Sequence, residues 1–215
     1  MDKNIKLNVK MSLQYIFRAS NATCDCINDD KERDGMKLQL ENINKNIRKN
    51  NILHDINLTL EGGKVYGLKD KNGCGKTMLM RTIAGLLKPT SGRVVINDEV
   101  LWKDICFPRS MGVLIENPSF LNGYTGFENL KIIASIKGII GNEDIKATLE
   151  KVGLDPDDRR KYRKYSLGMK QKLGIACAVM ENPDIVILDE PINAIDQSGV
   201  EKVRKIFIIV KKAIR

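Results

Sequence analysis

Between Val65 and Ile83 the chain reads as a short apolar run, a glycine-rich loop and a helix, and this order restricts the fold more than any other feature. Val65-Tyr66-Gly67-Leu68 enters Lys69-Asp70-Lys71-Asn72-Gly73-Cys74-Gly75-Lys76-Thr77, and Met78, Leu79, Met80 and Ile83 follow at helical spacing. Glycines let successive backbone N–H groups curl round an anion, and the N-terminus of the following helix adds partial positive charge. Lys76 is then placed to meet the β- and γ-phosphates of a nucleotide, and Thr77 to ligate its Mg2+. Asn72, Gly73, Cys74, Gly75, Lys76, Thr77 and Met78 are the candidate nucleotide-binding residues. A plain turn before an ordinary helix has no need of Gly-Lys-Thr at that place.

One position departs from the phosphate-loop pattern, because Asp70 stands where its first glycine belongs. A carboxylate close to a triphosphate is repelled by roughly 1–4 kcal/mol at surface-like dielectric and 4 Å. Asp70→Gly is therefore expected to tighten nucleotide binding. Cys74 occupies a variable loop position where a small side chain suffices; the competing reading is a redox-active thiol beside Lys76 at a helix N-terminus.

A second apolar run, Asp184-Ile185-Val186-Ile187-Leu188-Asp189-Glu190-Pro191, ends in two acids. At a strand end, Asp189 can hold the Mg2+ shell and Glu190 can polarise an attacking water as general base. Strand-end acids alone mean little, but paired with the phosphate loop they form the two elements a phosphate-loop ATPase requires. Short β-rich runs alternate with helical ones from Lys37 onward, which predicts an α/β sandwich with an internal parallel sheet. The predicted strands cover 37–43, 55–60, 64–68, 93–97, 111–116 and 184–189. A helix from Lys76 to about Leu87 stops at Lys88-Pro89-Thr90-Ser91-Gly92, which cannot extend it.

The 215 residues suit one domain with a tail, and 42% hydrophobic content is enough for a core. No apolar run reaches the roughly 20 residues of a membrane-spanning helix, and Met1 to Lys10 lacks the apolar centre of a secretory signal. Residues 1–36 show no sustained period, end in a polar stretch, and are expected to form a disordered N-terminal extension. They hold equal numbers of basic and acidic side chains, so the net charge of +9 belongs to the remainder. That excess reads as a solvated basic surface; with 5% aromatics and no recognisable module, nucleic acid is not an expected partner. Five cysteines without paired spacing argue against a disulfide framework or a zinc site.

Between residues 118 and 180 the pattern turns helical: Thr125 and Glu128 form a capping box, and Asn142 opens a helix that Gly153 closes. Tyr165-Ser166-Leu167-Gly168-Met169-Lys170-Gln171-Lys172 then precedes the Asp189 strand, with Ser166 as the cap of a helix facing a core through Leu173, Ile175 and Ala176. In this order of motifs, the stretch is similar to the signature sequence of ABC-transporter ATP-binding subunits, in its Ser-Leu-Gly-Met form. Residues 37–215 resemble that family as a set.

The resemblance implies a P-loop NTPase sandwich with a mixed sheet and a helical subdomain at about 118–180, with ATP and Mg2+ as ligands. It implies a head-to-tail homodimer, or a heterodimer with another nucleotide-binding subunit, in which Ser166 and Gly168 face ATP on the opposite subunit. Asn193-Ala194-Ile195-Asp196 falls on the family's dimer-seam loop, and Glu116 falls on its γ-phosphate-sensing position, usually Gln. Glu190, Lys76 and Glu116 are thus the catalytic candidates, with Thr77 and Asp189 as metal ligands. The implied partner is a membrane-spanning permease subunit facing Phe120 to Glu128, with this chain cytoplasmic and peripheral on the inner face of the membrane. The implied function is ATP binding and hydrolysis as the energy-coupling subunit, with export of peptides or antibiotics.

Two family features are not matched. Ile47 stands where an aromatic usually stacks on adenine, and the sequence stops at Arg215, before the family's C-terminal strand and its phosphate-contacting histidine. His54, the single histidine, reads as a surface or strand-edge residue. These departures, with Asp70, support the alternative expectation of a degenerate or truncated nucleotide-binding module without turnover.

Overall fold

The computed structural model describes residues 14–17, 35–68, 74–193, 195–197 and 199–203. Among the described residues, eight strands fall into two sheets. In the first, β2 (Lys37–Ile47) pairs antiparallel with β3 (Asn50–Glu61) and with β5 (Ser91–Ile96), and β6 (Glu99–Val100) pairs with β5. The second has the order β4 (Val65–Leu68), β1 (Gln14–Phe17), β8 (Ile185–Leu188), β7 (Met111–Leu114). Within it β7 and β8 are parallel, while β1 runs antiparallel to both β4 and β8.

A strand at Gln14–Phe17 lies within residues 1–36, where little fixed structure was expected. Four residues are too few to show a period, and their partners lie far along the chain: Tyr15 stands opposite both Gly67 and Leu188. The first hairpin is also longer than predicted. Asn42 and Asp55 take left-handed backbone angles (φ 50° and 44°), the register slips nearby, and the apolar alternation fails there. Asparagine side chains satisfy the interrupted ladder, with the Asn42 N–H donating to Asn57 Oδ1 and the Asp55 N–H to Asn44 Oδ1. Asn97 and Asp98, both with positive φ, make the tight turn that creates the unpredicted β6.

Helix α1 (Lys76–Ile83) presents Leu79, Met80 and Ile83 to a core shared with Leu40 and Ile43 of β2, Val94 of β5 and Ile187 of β8. It ends at Ile83 rather than Leu87, with Gly85 in a left-handed turn. The second core lies on the other side of β8, where Val186 and Leu188 meet α2 (Gly126–Lys137), α3 (Asn142–Val152) and α4 (Leu167–Val179) through Leu130, Leu149 and Leu173. Alternate residues of β8 therefore belong to different cores, which explains why its sequence is continuously apolar.

The helix boundaries follow the predicted caps. The Glu128 N–H donates to Thr125 Oγ1 at 3.1 Å, and the Thr125 N–H donates to the Glu128 carboxylate at 2.6 Å. Gly153, in a left-handed conformation, closes α3. α4 packs so closely on β7 that a Cβ on Gly112 would stand 1.7 Å from the Ala178 carbonyl oxygen. The Tyr162 hydroxyl donates to the Pro118 carbonyl at 2.7 Å and ties the segment after β7 to this helical layer.

Candidate functional site

The carboxyl ends of β7 and β8 and the N-terminus of α1 meet around a cavity of about 320 Å3, lined by Thr77, Glu116, Gln171, Asp189, Glu190 and Asn193 among others. Thr77, on the first turn of α1, donates from its hydroxyl to Asp189 Oδ2 at 2.9 Å. Asp189 is 8% exposed, and its N–H donates to the Leu114 carbonyl at 2.7 Å, so the acid is fixed by the β7–β8 register. The two oxygen donors form a set that suits a hard cation such as Mg2+, and they are the pair expected to hold it.

Glu190 follows with φ 47°, a left-handed angle that turns the chain sharply at the strand end. Asn193 Nδ2 donates to Glu190 Oε2 at 2.5 Å, and the buried Gln171 donates from Nε2 to the Glu190 carbonyl at 3.4 Å. The second acid is thus held from its own loop and from α4. On the opposite wall Glu116, with φ 63°, pairs with Arg81 of α1 at 2.6 Å.

Of the phosphate-loop candidates, Asn72 and Gly73 lie outside the described residues, as does Asp70. Gly75 precedes α1 with φ 93°, and a Cβ there would stand 2.8 Å from the Ile52 carbonyl oxygen, so the position requires glycine. Lys76 Nζ reaches the exposed Cys74 sulfur at 3.5 Å. Met78 packs its side chain against the core beside α1. Ser166 caps α4 by accepting from the Met169 N–H at 3.2 Å. Ser166 and Gly168 do not line the Thr77–Asp189 cavity; Ser166 is exposed, and the neighbouring Leu167 is 63% exposed.

Arg81, Gln171 and Asn193 were not among the predicted catalytic, nucleotide-binding or metal residues, although Gln171 lies in the signature-like stretch and Asn193 on the expected dimer-seam loop. Arg81 had a signal: it stands four residues after Thr77 and so on the same side of α1. Gln171 had a weaker one, as a buried polar residue within an otherwise apolar helix face. Nothing in the sequence indicates that Asn193 folds back on Glu190.

A glycine-bounded helix start beside paired strand-end acids, on an α/β scaffold with a helical layer, defines a P-loop NTPase of the ATP-binding-cassette type. The chain belongs to the ABC transporter family, which matches residues 53–193. It is 47% identical over 175 residues to the ABC transporter ATP-binding protein YybJ of Bacillus subtilis (strain 168), covering 81% of this chain and 80% of that one. It is 39% identical over 168 residues to the bacitracin transport ATP-binding protein BcrA of Enterococcus faecalis, covering 78% of this chain. This chain spans 54% of that relative's length. Among solved structures, an ABC transporter ATP-binding protein from Pyrococcus furiosus superposes with a TM-score of 0.69 at 27% identity, covering 82% of this chain and 86% of that one.

Proposed function

We propose that this chain binds and hydrolyses ATP as the energy-coupling subunit of a transporter. The observation that carries the reading is the 2.9 Å bond from Thr77 to Asp189, with Glu190 next in sequence on the same cavity. Lys76 and the α1 N-terminus hold the phosphates, and Thr77 and Asp189 hold Mg2+. Bound there, Mg2+ supplies positive charge against the triphosphate oxygens. Glu190 accepts a proton from the water that attacks the terminal phosphate.

Exposed Ser166 and Leu167 at the start of α4 support pairing with a second nucleotide-binding subunit, of this chain or another, whose ATP would lie against that helix N-terminus. No helix among the described residues is long and apolar enough to cross a membrane, which fits coupling to a separate permease subunit at the cytoplasmic face of the membrane. The similarity to a bacitracin transport protein favours export of peptide-like antibiotics.

The test is phosphate release from Mg-ATP by the full chain, with Lys76→Ala as background. Turnover above that background is expected; equal rates for the two proteins would leave a binding module without turnover. Glu190→Gln should trap ATP and form a dimer on size-exclusion chromatography only when ATP is present. A monomer under those conditions removes the paired-site arrangement.

A further inference from the structure

The cavity wall carries three carboxylates, Glu116, Asp189 and Glu190, at a site proposed to receive a triphosphate. Asp189 is engaged by Thr77, and Glu190 by Asn193. Glu116 belongs to neither loop; it stands just beyond β7 and ends on the Arg81 guanidinium at 2.6 Å. The arginine side chain is 34% exposed and that of the glutamate 62%, so Arg81 is the more firmly packed partner. Because Arg81 lies one turn beyond Thr77 on α1, the helix that presents the phosphate-binding end also delivers the cation that neutralises Glu116.

We propose that Arg81 is a positioning residue for the nucleotide, which makes a carboxylate at position 116 compatible with phosphate binding by pairing with it. The inference rests on the nucleotide site proposed above. Its central consequence is dependence of one residue on the other. Removing Arg81 leaves an uncompensated carboxylate on the wall and weakens nucleotide binding. Removing the charge of Glu116 releases the guanidinium to face the phosphates and strengthens it. Removing both restores affinity, because neither unpaired charge remains. A merely structural role for Arg81 in α1 has no such rescue.

Four full-length proteins decide this: the unaltered chain, Arg81→Ala, Glu116→Gln and the double variant, each titrated with a fluorescent ATP analogue and Mg2+. Arg81→Ala should raise Kd about three- to fivefold, the size expected for a solvent-accessible charge pair. The double variant should return to within about twofold of the unaltered chain, given the scatter of such cycles. The Arg81→Ala deficit should also shrink as salt is raised. If Arg81→Ala lowers thermal stability, Arg81→Gln, which keeps helix propensity, replaces it in the same cycle. Equal Kd for the unaltered chain and the arginine variant, or a double variant as weak as Arg81→Ala, overturns the proposal and leaves the nucleotide site intact. Absence of binding by the unaltered chain overturns the site itself.

Discussion

Asn193 donates its side-chain amide to the Glu190 carboxylate, so the loop that leaves β8 turns back to grip the acid at its own start. A charged acceptor on an amide donor fixes the carboxylate direction, and loss of such a bond costs about 1.5–3 kcal/mol. Asn193→Ala should therefore lower turnover about tenfold while KM moves less than about twofold, the pattern of a residue that aligns the base and does not bind substrate. Asn193→Asp should be slower still, because it sets a second carboxylate against Glu190. Steady-state phosphate release against ATP concentration separates the two parameters. Turnover of Asn193→Ala equal to that of the unaltered chain would show that the grip has no catalytic role.

Gly112 lies where β7 meets α4, with no room for a side chain beside the Ala178 carbonyl. Gly112→Ala forces the helix off the strand and should cost at least about 3 kcal/mol, beyond the usual range for a surface change. A urea melt followed by circular dichroism would record it as a lower midpoint. A shift of only a few tenths of a molar would mean that α4 moves aside cheaply.

β1 links β4 to β8, and these two strands do not pair with each other directly. As an interior strand it hydrogen-bonds on both sides, so proline within it removes a ladder bond and clashes with the sheet. Ile16→Pro should lower both thermal stability and affinity for a fluorescent ATP analogue, since it loosens the connection between the α1 side of the site and the Asp189 side. Gly123→Pro, in an exposed loop, is the control. Identical behaviour of the two variants would remove β1 from any part in the site.

The three described cysteines should separate by reactivity. Burial pushes the Cys177 thiol up to about 11, whereas Cys74 and Cys106 are exposed. At pH 8, alkylation followed by peptide mass spectrometry should find Cys74 and Cys106 modified well before Cys177. Mg-ATP should protect Cys74, which adjoins Gly75 and Lys76, and leave Cys106 unchanged. Equal labelling of Cys74 with and without Mg-ATP would place the nucleotide elsewhere.

Much of the scaffold was legible because it rests on local chemistry. Thr125, Glu128, Ser166 and Gly153 announce their helix ends through side-chain or backbone requirements that act within three or four residues. The apolar run of β8 and the acids at its end were likewise readable. What escaped depended on distant partners. β1 exists through pairing with strands far along the chain, and the Asn42 and Asp55 irregularities hide the alternation of the first hairpin. At the site, Thr77, Asp189, Glu190 and Glu116 line one cavity. The contacts that orient Glu190 and neutralise Glu116 come from Asn193 and Arg81, whose roles depend on where side chains turn after folding.

The antiparallel seat of β1 also carries a consequence for biosynthesis. Tyr15 pairs with Leu188, which is synthesised about 170 residues later, so this sheet can close only once β8 has left the ribosome. Until then β1 lacks the partner on its β8 side, and an exposed edge of this kind invites pairing with other chains. The nascent protein is thus vulnerable to aggregation until β8 emerges, and conditions that slow elongation up to β8 should lower the soluble yield.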